Sequence, residues 1–154
     1  MPDRDRRGFL VLAGAAGLLA ACGGGPPPPG TVAVTVSGGA GMNPGPDGAD
    51  RPVTMSLLRL RDAAAFNAAD PFALQDPAGA LAADLVGMDQ LAVPPGGTAT
   101  KAVTMEPEAA QLGILALFRD PGGKVWRTAV PVAPGAALKA TVTLGPGGLA
   151  VAVA

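Results

Sequence analysis

The chain has 154 residues, with 11 basic and 12 acidic side chains and a net charge of −1. That balance leaves no basic stripe to neutralise phosphates, which argues against nucleic acid as a partner. There is no histidine, no tyrosine and one cysteine, so an internal disulfide is impossible, and a metal would have to rest on carboxylates, which argues against zinc or copper.

Residues 1–8 carry Arg4, Arg6 and Arg7, with Asp3 and Asp5 among them. Residues 9–21, FLVLAGAAGLLAA, carry no charge. A helix that spans a bilayer needs about 20 apolar residues. This run is shorter and has the form of a signal-peptide h-region. It ends in Leu19-Ala20-Ala21-Cys22, which reads as a bacterial lipobox. The small residues admit a signal peptidase between Ala21 and Cys22. The Cys22 thiol then carries a diacylglycerol, and its new N-terminus an N-acyl chain. This covalent lipid is expected in place of any cofactor. Arg6-Arg7-Gly8-Phe9-Leu10 also resembles a twin-arginine export signal. An ordinary basic n-region of the general secretory route reads the same way, and both routes stay open. With residues 1–21 as signal peptide, the mature chain has 154 − 21 = 133 residues, the size of one domain. It keeps 11 − 3 = 8 basic and 12 − 2 = 10 acidic side chains.

Residues 22–30 follow as a tether. Glycines 23–25 are flexible, and prolines 26–29 favour extended polyproline II. Such a segment holds a domain roughly 20–25 Å from the membrane. Gly23 stands where Asp would favour retention at the inner membrane, so the expected location is the outer membrane, with the polypeptide in the periplasm.

Residues 31–154 read as one β-domain. Thr31–Ser37 alternates, with Val32, Val34 and Val36 on one face. Residues 38–50, GGAGMNPGPDGAD, are a loop. It is long for a connection between strands, and long loops in compact domains are often functional. Its composition suggests little packing on its own domain. Residues 52–61 form a second strand whose apolar phase changes at Leu57-Leu58, either through a bulge or because both faces are covered. Residues 62–76 are Ala-rich and predict one or two short helices. Asp70-Pro71 would open a helix, and Phe66 and Phe72 would both be buried against the sheet. Further strands are expected over 83–93 (with a bulge at Gly87), 98–105, 111–119, 124–132, 138–144 and 148–153, separated by Pro/Gly turns. Eight short strands and a helical insertion after the second predict an all-β sandwich. Leu112–Phe118 is apolar on both phases and marks a central strand.

No catalytic constellation stands out. The only serines, Ser37 and Ser56, have no base near them in sequence. The carboxylates at 62, 70, 76, 84 and 89 are what turns and caps require. Gly38-Gly39-Ala40-Gly41 lacks the Lys-Ser/Thr of a nucleotide loop. Trp126, the single tryptophan, is expected in the core. The loop is the candidate site: Met42 is a flexible apolar contact, Asn43 a hydrogen-bonding group, and the prolines lower the entropy lost on docking.

The order of the motifs resembles the type VI secretion outer-membrane lipoproteins, the TssJ (VasD, SciN) family. A Val-rich first strand leads to Asn43-Pro44, Asp47-Gly48 and Pro52-Val53. Leu60-Arg61-Asp62, Phe66, Phe72-Ala73-Leu74 and Leu81-Ala82-Ala83-Asp84-Leu85 follow. Pro95-Gly96, Leu117-Phe118-Arg119 and Trp126-Arg127 complete the series. This chain is richer in Ala and Gly, and its turns are short.

The resemblance implies a transthyretin-like β-sandwich with no enzymatic role, lipid-anchored in the outer membrane and facing the periplasm. It implies binding to the periplasmic C-terminal region of the inner-membrane protein TssM, within a membrane complex that also holds a TssL-like protein. It places the contact in the loop between the first two strands, here Met42, Asn43, Pro44, Gly45, Pro46 and Asp47. The alternative is a lipid-anchored sandwich that binds a small ligand or carbohydrate, against which the single tryptophan and the lack of tyrosine count.

Overall fold

In the computed structural model, the described residues are 25–154. The residues expected to form the lipobox, Cys22 included, and those expected to form the signal peptide lie outside them. Eight strands form two sheets: β1 (Gly30–Gly38), β2 (Val53–Leu60), β3 (Leu85–Val93), β4 (Thr98–Met105), β5 (Gln111–Leu117), β6 (Arg127–Pro131), β7 (Ala137–Gly145) and β8 (Gly148–Val153). One sheet has the order β4-β1-β7-β8 and the other β3-β2-β5-β6. Only β1 and β7 pair in parallel; the other pairs within the sheets are antiparallel.

The alternation in β1 sends Val32, Val34 and Val36 inward, where they meet Val53, Met55 and Leu57 of β2, Leu112 and Ile114 of β5, and Val142 and Leu144 of β7. β2 and β5 are the inner strands of their sheet, and both of their faces are covered. Leu57 points into this main core and Leu58 into a second one. No bulge is needed at that step, because neighbouring strand residues face opposite sides. The irregularity lies instead between Arg59 and Leu60, opposite Gly87 and Leu85 of β3.

The second core is made by the insertion between β2 and β3. It contains helices α1 (Ala64–Ala68) and α2 (Pro77–Leu81), with single 3-10 turns at Ala73–Gln75 and Ala82–Asp84. Phe66, Leu74 and Leu81 pack on Leu58, Leu60 and Leu115 across the outer face of the sheet. Gly113 makes room: a Cβ there would stand 3.0 Å from Leu60 and 3.1 Å from the Phe66 ring. Asp76-Pro77 opens α2, the Asp76 side chain accepting from the Gly79 N–H. Asp70, expected to open a helix, caps only the 3-10 turn by accepting from Ala73 N–H at 2.8 Å.

Phe72 departs from expectation: it is 78% exposed, whereas Phe66 is fully buried. The Asp70-capped turn carries Leu74 inward and leaves Phe72 at the tip. The expected 111–119 strand stops at Leu117, and the expected 124–132 strand begins only at Arg127. The residues between them form a turn that packs over the end of the sandwich.

Candidate functional site

β1 separates two poles. At its start, Thr31 N–H donates to Ala136 O at 2.8 Å, and Pro28, just before the strand, lies against Gly135. At its end the chain enters the loop that leads to β2. The eight steps between the nine strand residues, at about 3.3 Å each, put that loop about 26 Å from the start of β1.

The loop is well bonded, contrary to its composition. The Asp50 carboxylate accepts from Gly41 N–H at 2.8 Å and from Asn43 N–H at 3.1 Å. The Asn43 side chain donates to Pro52 O at 3.2 Å, and its oxygen accepts from Arg119 N–H at 2.9 Å. Lys124 Nζ donates to Met42 O at 3.2 Å. A small hairpin forms beyond them, with Gly45 N–H donating to Ala49 O and Pro44 bridged to Asp50. At its tip, Arg51 pairs with Asp47 at 3.0 Å. That hydrogen bond, and the next from Ala49 N–H, hold the Asp47 carboxyl below the usual carboxylate range.

The six loop residues therefore divide. Met42 is fully buried in the main core and Asn43 is 4% exposed. Gly45 is buried as well. The expectation that Met42 and Asn43 offer free contacts is overturned: Met42 fills the end of the sandwich, and Asn43 spends its polar atoms on three strands' worth of connecting backbone. Pro44, Pro46 and Asp47 form the exposed ridge, continued by Gly48, Ala49 and Arg51. Composition could not reveal this, because Asn43 is bonded to Arg119 as well as to its near neighbours Asp50 and Pro52, and Met42 O to Lys124, far along the chain.

Beside the loop is a pocket of about 350 Å³ that sequence reasoning missed. Its floor is Leu115 and Leu117; Phe72, Pro121, Trp126 and Arg119 wall it. Trp126 is half-buried and packs on both cores, so it is a core residue on one side and a pocket wall on the other. Arg127 explains why an arginine follows it. Its guanidinium lies 4.3 Å from the Trp126 ring centroid. It donates to Phe66 O at 2.7 Å and to Ala69 O, the open carbonyls at the end of α1. Burial lowers its pKa, but arginine stays charged. Arg127 thus pins the insertion to β6.

These features define a small two-sheet β-sandwich with a shaped loop and a pocket at one pole, opposite the end at which residues 25–29 lead into β1. The model of one family, described as "Type VI secretion lipoprotein, VasD, EvfM, TssJ, VC_A0113", matches residues 30–147. The chain belongs to this family of type VI secretion lipoproteins, and its transthyretin-like sandwich is theirs. It is similar to the type VI lipoprotein TssJ1 from Pseudomonas aeruginosa, at 29% identity and a TM-score of 0.76, over 82% of this chain and 98% of that one. Its fold is also that of Serratia marcescens Lip, described as a membrane-bound component of the type VI secretion system, at 23% identity and a TM-score of 0.73, over 79% and 96%. A chain in a structure described as the TssM C-terminal domain from EAEC shares the fold at 18% identity and a TM-score of 0.65, over 79% and 97%. None of the curated proteins matches.

Proposed function

We propose that this protein is a non-enzymatic anchor of a type VI secretion membrane complex. Residues 1–21 are removed, Cys22 is acylated, and the tether of residues 22–30 holds the sandwich at the periplasmic face of the outer membrane. The loop between β1 and β2 docks on the periplasmic C-terminal region of a TssM-like inner-membrane protein, within a complex that includes a TssL-like protein. Pro44, Pro46 and Asp47 make the contact; Met42, Asn43 and Gly45 hold them in place.

The observation that carries this reading is the polarity of the fold. The tether enters at one end of β1, while a loop fixed by the Asn43–Arg119 bond projects from the other. A lipid-anchored domain built this way presents its loop away from the membrane. Rigidity suits docking, since a pre-shaped loop loses little entropy when bound. The family and the described relatives support the setting.

The test is a titration of the lipidated protein in detergent with the purified periplasmic C-terminal region of the cognate TssM-like protein. A saturable one-site complex is expected, weakened by Pro46→Glu or Asp47→Arg. Absence of binding, with retention on immobilised glycans instead, overturns the reading.

A further inference from the structure

The pocket between the insertion tip and the end of β5 lies outside the loop contact just described. Three observations bear on what fills it. Its lining includes an exposed aromatic ring: Phe72 is 78% exposed, and Trp126 and Pro121 line the same pocket. Burying such a ring against a partner is the usual way an interface gains energy at one point. Its charged wall residue, Arg119, is exposed and makes no ion pair among the described residues. The neighbouring Asp120 is turned to its own turn, accepting from Gly122 N–H. The third observation is continuity. The backbone N–H of Arg119 is bound by Asn43, so the pocket wall and the loop between β1 and β2 are joined directly.

A volume of about 350 Å³ lies at the small end of the roughly 300–1,000 Å³ range of binding pockets. It has room for large side chains and an arginine placed to meet a carboxylate.

We infer that this pocket receives an apolar side chain, flanked by a carboxylate, from the polypeptide that docks on the loop between β1 and β2. The inference rests on the proposed reading of that loop. It adds a second point of contact on one partner: the loop ridge sets position, while Phe72 and Trp126 clasp the anchor and Arg119 pairs with its acidic neighbour. Two separated contacts fix orientation as well as affinity, which a single loop tip cannot do.

The experiment uses the lipidated protein in detergent and the same purified TssM-like C-terminal region as probe. Phe72→Ala is expected to weaken binding at least tenfold with the melting temperature unchanged, because the ring is exposed. Phe72→Leu restores most of the affinity. Arg119→Glu weakens binding too, and its deficit shrinks as salt rises, as screening of a charge pair requires. Because Trp126 is the only tryptophan, 5-fluorotryptophan labelling gives one ¹⁹F resonance, which should shift when the probe binds. If the wild type binds the probe while Phe72→Ala and Arg119→Glu bind equally well, the pocket is not in the interface and the loop reading survives. If the wild type does not bind the probe at all, the loop reading falls and this inference with it. A ¹⁹F shift caused by free oligosaccharides and not by the probe assigns the pocket to a small ligand and overturns the inference.

Discussion

The side-chain oxygen of Asn43 accepts the backbone N–H of Arg119 at 2.9 Å, across 76 residues of chain. The same side chain donates to Pro52 O at 3.2 Å. One buried amide thus joins the end of β1, the start of β2 and the end of β5. Asn43→Ala leaves these groups unpaired, which costs about 1–3 kcal/mol. Asn43→Asp keeps the acceptor but turns a second oxygen toward Pro52 O, and should cost more. Urea unfolding of both variants checks the order; equal stability of wild type and Asn43→Ala would show that the bonds are not made.

Replacing residues 40–48 by a Gly-Ser linker, which the composition of the loop would leave harmless, is expected to destabilise the domain. The replacement removes Met42 from the main core, and truncating a buried Met costs about 2–5 kcal/mol. Met42→Ala alone should give most of the fall in denaturation midpoint. Loss of partner binding in the linker variant would therefore say little, and the exposed substitutions at Pro46 and Asp47 are the cleaner probes.

Phe118 lies just beyond β5, 8% exposed and within the main core, with Lys124 Nζ 5.0 Å from its ring centroid. Phe118→Ala should cost about 3–5 kcal/mol, a large part of a typical domain stability of about 5–15 kcal/mol. A melting temperature within error of wild type would contradict the burial.

Ala82 holds φ 48° and ψ −121° at the end of α2, a conformation that suits glycine. Strain of this kind costs about 1–3 kcal/mol, and glycine gives part of that back through a freer unfolded chain. Ala82→Gly is expected to stabilise by about 1 kcal/mol, read as a higher melting temperature. A lower one would mean that the backbone there is relaxed.

Cys22 carries the membrane attachment in the proposed function. Each buried CH₂ of an acyl chain contributes about 0.8 kcal/mol, and two chains already anchor stably. Cys22→Ser should give a folded protein that is soluble or keeps its signal peptide. Recovery of the variant as mature protein in outer-membrane fractions would refute the lipobox.

Local chemistry made much of this molecule readable in advance. Val32, Val34 and Val36 alternate because only one face of β1 meets the core, and that pattern is visible in seven letters. The Pro/Gly turns divide the strands, and the two-sided apolar run of β5 marks an inner strand. Three features needed the tertiary structure. Phe66 and Phe72 stand in the same Ala-rich stretch, yet only Phe66 finds a hole, and that hole exists because Gly113, on another strand, lacks a Cβ. Met42 sits in a segment that reads as loop, and its burial depends on the core that the two sheets close around it. The pocket is assembled from the insertion tip, the end of β5 and the start of β6, which no stretch of sequence contains together. Periodicity reports which face of an element is apolar; which distant residue leaves room, or supplies the bond, is settled only when the chain has closed on itself.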